Sequence, residues 1–114
     1  MSLANNDFNW RLVAAAALVE NQVVTIDAAG KAAVSDGTKP VGICPQAIAS
    51  GERAPVIRGG TIGGLSGFSA GQRLRGQGSG VLGTGGATPI VAVVKSEDAA
   101  TAVILTGNLD AAIV

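Results

Sequence analysis

The feature that most constrains this chain is the stretch 59–86, in which twelve of the 28 residues are glycine. Glycine loses the most backbone entropy on folding and brings no side chain to a core. Such a stretch cannot carry a packed helix and offers little chemistry. It suits tight turns and close approaches between backbones. On either side lies an apolar, β-prone run led by proline. Pro40-Val41-Gly42-Ile43-Cys44 precedes it and Pro89-Ile90-Val91-Ala92-Val93-Val94 follows it. Short β-branched runs separated by glycine turns point to an all-β fold.

The 114 residues suffice for one domain. Phe8, Trp10 and Phe68 are the aromatic residues, and most other apolar residues are Ala or Val. A core of small side chains gains little from each burial, and oligomerisation is a common remedy. Eight basic and eight acidic residues cancel. Neutrality argues against a nucleic-acid partner, which needs a basic stripe, and against an anionic membrane surface. The single cysteine, Cys44, rules out an intramolecular disulfide, and its apolar neighbours suit a buried thiol. The apolar run 12–19 is too short to span a bilayer, and with Asp7 before it and Glu20 after it lacks the flanks of a signal peptide.

Period-two patterning begins at Gln22. Val24 and Ile26 share one face, Val23 and Thr25 the other. Asp27-Ala28-Ala29-Gly30 is turn chemistry and Lys31-Ala32-Ala33-Val34 returns, so a hairpin is expected. Further strands are expected at 41–49, 53–58, 61–62, 73–75, 81–82, 90–95 and 101–105. Pro45 and Pro55 mark edges or bulges, and 90–95 reads as a strand buried on both faces. Residues 11–20 leave two readings. An extended segment is favoured because the run has no N-cap box and leads straight into Val23-Val24-Thr25-Ile26; the alanines at 14–17 support a short helix. The whole reads as a small β-barrel or sandwich of short strands over 12–114, preceded by an extended N-terminal arm, 1–11. The chain also echoes itself. Pro40-Val41-Gly42-Ile43-Cys44 with Val56-Ile57-Arg58-Gly59 resembles Pro89-Ile90-Val91-Ala92-Val93 with Ile104-Leu105-Thr106-Gly107. Either two such hairpins pair as neighbouring parts of one barrel, or the echo is generic β-strand grammar.

Histidine is absent, which removes the commonest general base and zinc ligand. One cysteine cannot build a thiolate metal site. Gly78-Ser79-Gly80-Val81-Leu82-Gly83 fits G-x-G-x-x-G, but no helical pattern follows, so it reads as a loop. Glu97-Asp98 reads as a pair of solvated turn charges. No catalytic residue, metal or cofactor is expected. The candidates are adhesive. Phe8 and Trp10 lie in the polar arm, where they either anchor it on a partner or, for Trp10, cap the body by folding back. Arg73 and Arg75, at i and i+2, share a face and with Arg58 form a candidate patch for a partner or a second subunit; the alternative is a solvated strand face.

Several motifs recur in order: Val23-Val24-Thr25-Ile26-Asp27 with Gly30, Pro40-Val41-Gly42-Ile43, then Gly51 followed by Ala54-Pro55-Val56-Ile57-Arg58-Gly59. Ser69-Ala70-Gly71-Gln72-Arg73-Leu74 and Ile90-Val91-Ala92-Val93 through Val103-Ile104-Leu105 complete the set. Over about 23–105 this cadence resembles the small capsid decoration, or cement, proteins of tailed-phage heads. The resemblance implies a non-enzymatic protein, usually a homotrimer, assembled in the host cytoplasm. It would sit on the outer surface of the expanded head and bridge major capsid protein subunits. It also implies an arm that orders on the shell, with Asp7, Phe8, Asn9, Trp10 and Arg11 as contacts, by adding a strand to a capsid sheet. A small-ligand-binding β-barrel and a host-binding head fibre or adhesin are the alternatives.

Overall fold

The computed structural model describes residues 10–86 and 88–104. Their elements are β1 (Trp10–Val13), β2 (Gln22–Ile26), β3 (Ala32–Val34), β4 (Gly42–Cys44), β5 (Arg53–Val56), β6 (Gly60–Ile62), β7 (Arg73–Gly76), a 3-10 turn (Gly78–Gly80), β8 (Leu82–Gly83), β9 (Ile90–Val94) and β10 (Ala102–Ile104). The fold is all-β, as the turn and strand grammar requires. It is not a closed barrel: the strands form antiparallel sheets of two, five and three.

The strand order occurs twice. In the second half one sheet runs β6-β10-β9-β7-β8. In the first half β1 pairs with β5, and β2 lies between β3 and β4. An antiparallel bridge between Ile43 and Ile57 joins β4 to the end of β5. The first order is therefore β1-β5-β4-β2-β3, the same arrangement. The registers agree at a spacing of fifty residues. Val23 pairs with Ile43 and Val24 with Gly42; Arg73 pairs with Val93 and Leu74 with Ala92. Thr25 pairs with Ala33, and Arg75 with Gly83.

The connecting turns agree as well. The Asp27 amide donates to Lys31 O at 2.9 Å and Gly30 N to Asp27 O at 3.0 Å; Gln77 N donates to Val81 O at 2.7 Å and Gly80 N to Gln77 O at 2.9 Å. Gln22 Oε1 accepts from Val19 N at 2.9 Å, and Gln72 Oε1 from Ser69 N at 2.8 Å. The described chain is thus two copies of one five-stranded unit. The echo between the two proline-led hairpins falls on the equivalent strands but one residue out of register, since Gly42 matches Ala92 and Ile43 matches Val93, and its Leu105-Thr106-Gly107 lies outside the described residues.

The hairpins do not lie side by side in one barrel; the units stack. The first unit encloses a cluster that includes Ala14, Leu18, Val24, Ala32, Cys44 and Val56, with Trp10 and Ile48 at its margin. In the second unit Phe68, Leu74, Leu82 and Val94 take the places of Leu18, Val24, Ala32 and Cys44. Strand alternation sends Val23, Ile43 and Ile57 to the other face of the first unit, and they pack into the second unit's cluster. Val23 and Ile43 are wholly buried there, each contributing about 1.5–3 kcal/mol.

Local chemistry sets the limits of the strands. Pro45 ends β4 after Cys44, so the strand expected over 41–49 is short, and Ile48 instead bridges to Leu18. Residues 11–20 are extended rather than helical: β1 is followed by bridges from Ala14 to Ala32 and from Leu18 to Ile48. Gly42 permits the close approach of β4 to β5, where an added Cβ would stand 2.6 Å from Val56 Cγ1 and 2.8 Å from Ile57 O. β9 lies at the centre of the five-stranded sheet, with Val91 and Ala92 fully buried.

Candidate functional site

Leu74 of β7 points into the second core, so its neighbours Arg73 and Arg75 point to the opposite face. Arg73 pairs across to Val93 of β9, Val93 to Val103 of β10, and Val103 to Thr61 of β6. Directly paired residues share a face. The result is a row, Arg73–Val93–Val103–Thr61, across four strands. Arg73 and Thr61 are exposed and Val93 is half-buried. Val103 is 40% exposed, one of the few large apolar side chains left open.

The same face of the first unit carries Val23, Ile43 and Ile57 and is covered by the second unit. A surface built for packing is therefore used once and presented once. Arg73 stands where the first unit has Val23, which places a charge at the edge of an apolar strip. Sequence reasoning found Arg73 and its face but missed Val93 and Val103, because β-branched strands read as core. Only the repeat, which aligns them with Ile43 and Ile57, identifies them as a packing face.

The other sequence candidates lie elsewhere. The Arg75 guanidinium donates to the Thr88 carbonyl, while Thr88 Oγ1 donates to Gly76 O at 3.0 Å. Arg75 therefore holds the approach to β9 within its own unit. Arg58 belongs to the first unit, where its guanidinium lies 4.0 Å from the centroid of the Trp10 ring. That cation–π contact covers the margin of the first core. Trp10 and Arg11, read from sequence as part of the arm, are in β1, paired with Val56 and Pro55. Trp10 is half-buried against its own body and Arg11 is exposed. Asp7, Phe8 and Asn9 lie outside the described residues.

The polar groups are tied into turns. Asp36 Oδ1 accepts from the Thr38 hydroxyl and, at 2.9 Å, from the Thr38 amide, and these bonds hold its carboxyl below the ordinary range. Ser96 and Lys95 lower Glu97 in the same sense, with Lys95 Nζ 3.2 Å from its carboxylate. Asp98 Oδ1 accepts from Ala100 N at 3.0 Å. Burial pushes the Cys44 thiol up, and its Sγ donates to Gln46 O at 3.1 Å. Gly78–Gly80 forms a 3-10 turn that leads into β8, not into a helix. Among the described residues no group of three or more acidic, cysteine or histidine side chains is placed to hold a metal, and no helix is long and apolar enough to cross a membrane. Compared with protein-family models, curated proteins and solved structures, the chain matches none.

Proposed function

We propose that this protein is a non-enzymatic assembly protein, a decoration protein that binds the outer surface of an expanded phage head as a homotrimer and bridges major capsid subunits. The observation that carries this reading is the open sheet face Arg73–Val93–Val103–Thr61, whose counterpart in the first unit is a buried packing surface. A half-apolar strip with a charge at its edge is the composition of a protein interface, with an apolar centre and a polar rim. Bound in several copies, a weak contact of this kind gains by avidity. A ligand that binds only the expanded shell stabilises that state by linkage.

Sedimentation velocity on the purified protein, followed by co-sedimentation with expanded heads, tests the reading. The expected result is a trimer that pellets with the shells, and a Val103→Asp variant that folds but loses trimer formation or shell binding. A monomer that leaves the shells bare, or a Val103→Asp variant that assembles and binds as the parent does, would overturn it.

A further inference from the structure

The chain contains one aspartyl–glycyl pair, Asp36-Gly37, and no asparaginyl–glycyl pair. Glycine has no Cβ to shield its main-chain nitrogen, so the carboxyl of a preceding aspartate can reach it. In that reaction the nitrogen attacks the carboxyl carbon, and the amide proton leaves with the carboxyl hydroxyl as water. The succinimide so formed reopens with water at either carbonyl. One opening restores aspartate. The other routes the main chain through the side-chain carboxyl, giving isoaspartate and a longer backbone.

The fold requires this glycine and restrains this aspartate. Gly37 follows β3 with φ of 101°. A Cβ on it would collide with the Gly76 carbonyl oxygen and stand 2.8 Å from Thr88 Cγ2. Gly76 ends β7, and a Cβ on it would stand 3.3 Å from Gly37 Cα. The pair therefore lies where the two units touch. Gly37 N donates to Ser35 Oγ at 3.0 Å, and that hydroxyl donates to Thr38 O at 3.0 Å. Ser35 is wholly buried, and its own amide donates to Val23 O at 3.0 Å. Asp36 Oδ1 accepts from the Thr38 hydroxyl and amide. These bonds favour the ionised carboxylate, which has no hydroxyl to lose. Ring closure also needs the nitrogen aligned on the carboxyl carbon. It would have to draw Gly37 N off Ser35 and turn the peptide against Gly76, whose carbonyl is held by Thr88 Oγ1 at 3.0 Å.

We propose that Asp36-Gly37 is a latent covalent modification site, which forms succinimide and isoaspartate when the two units part and is held unreactive while they are stacked. Opening of the contact between the units is the step that admits the chemistry. Once formed, isoaspartate lengthens the main chain at this contact and opposes its closing again. The reaction needs no partner and is independent of the assembly role.

The test is incubation of the full chain in heavy-oxygen water, native and in urea. Peptide mass spectrometry reads heavy oxygen taken up at Asp36, and isoaspartyl methyltransferase labelling reads isoaspartate. The expected result is a reaction about tenfold or more slower in the native chain than in urea. Thr38→Val removes one donor to the carboxylate, and Thr88→Ala removes the contact from the second unit. Both should raise the native rate severalfold and leave the rate in urea unchanged. Ser35→Ala should raise it further; because Ser35 is buried, the Thr38 and Thr88 variants carry the test if that chain fails to fold. Equal native and urea rates in the parent overturn the proposal. So does the absence of reaction at Asp36 in urea, and so does a native rate unchanged in both Thr38→Val and Thr88→Ala.

Discussion

Because the units share one turn geometry, a single substitution can be made twice in the same backbone setting. Gly30 and Gly80 occupy equivalent turn positions, with φ of 80° and 72°. An alanine at either site must adopt a left-handed conformation, which costs about 1–2 kcal/mol. Stiffening of the unfolded chain by alanine offsets about 0.4–1 kcal/mol of that cost. A Cβ on Gly30 meets nothing within 4 Å, so Gly30→Ala should lose only about 1 kcal/mol. A Cβ on Gly80 would stand 2.7 Å from Val23 O and 2.9 Å from Gln22 Cγ. Val23 O cannot yield easily, since it accepts from Ser35 N at 3.0 Å. Overpacking of this kind adds about 1–3 kcal/mol, so Gly80→Ala should lose roughly 2–4 kcal/mol. Urea unfolding of both variants, compared at equal m, reads the difference as a separation of midpoints. Equal midpoints would refute the claim that Gly80 marks the contact between stacked units.

Cys44 should react with a thiol reagent far more slowly in the native protein than in urea, because burial both shields the thiol and raises its pKa; rapid stoichiometric labelling of the native state would contradict the burial. Asp36 has a depressed carboxyl, so its contribution to stability is full above its ordinary value of 3.8 and is lost as pH falls through the lower folded value. Asp36→Asn should therefore narrow its stability deficit relative to the parent in strong acid, as read by thermal midpoints across pH 2–6, about the range where carboxylates titrate; a deficit independent of pH would show that the charge plays no part. Arg73→Val should give the exposed face the residue found at the covered one and produce concentration-dependent association in light scattering; unchanged mass at high concentration would show that Arg73 does not limit contacts there.

Much of the fold was legible because its signals are local. The hairpin β2–β3 follows from alternation and from Asp27, whose Oδ1 accepts from Ala29 N and Lys31 N at 2.9 Å each. The β9 strand follows from its β-branched run, and the shared face of Arg73 and Arg75 from the two-residue period. The repeat was only half legible. Its second copy has Gly76 where the first has Ile26, and Arg73 where the first has Val23, so the apolar pattern does not recur. The return from β9 to β10 is also shorter than that from β4 to β5, which breaks the constant spacing. Sequence leaves the place of Trp10 open between the arm and a cap on the body, because its partners Val56 and Arg58 are distant in sequence. The open face was hidden for a related reason. Nothing local distinguishes Val103, which is exposed, from Val91, which is not.

Stacked units of one design raise a question of termination. A back face that fits a front face would let further copies add in the same sense, and a heterologous contact that does not close gives open chains. Two features oppose that outcome here. At the free back face, Arg73 replaces the valine that made the internal contact, and burying an unpaired guanidinium in an apolar core is costly. In the first unit, the Ala14–Ala32 bridge ties the chain after β1 to β3, and Trp10 with Arg58 covers the margin of the core. Among the described residues, stacking of this kind joins two units. What remains on the free face, Val93 and Val103 beside a charge, fits a contact of different geometry from the internal one, in which the guanidinium stays at the solvated rim and the valines are covered.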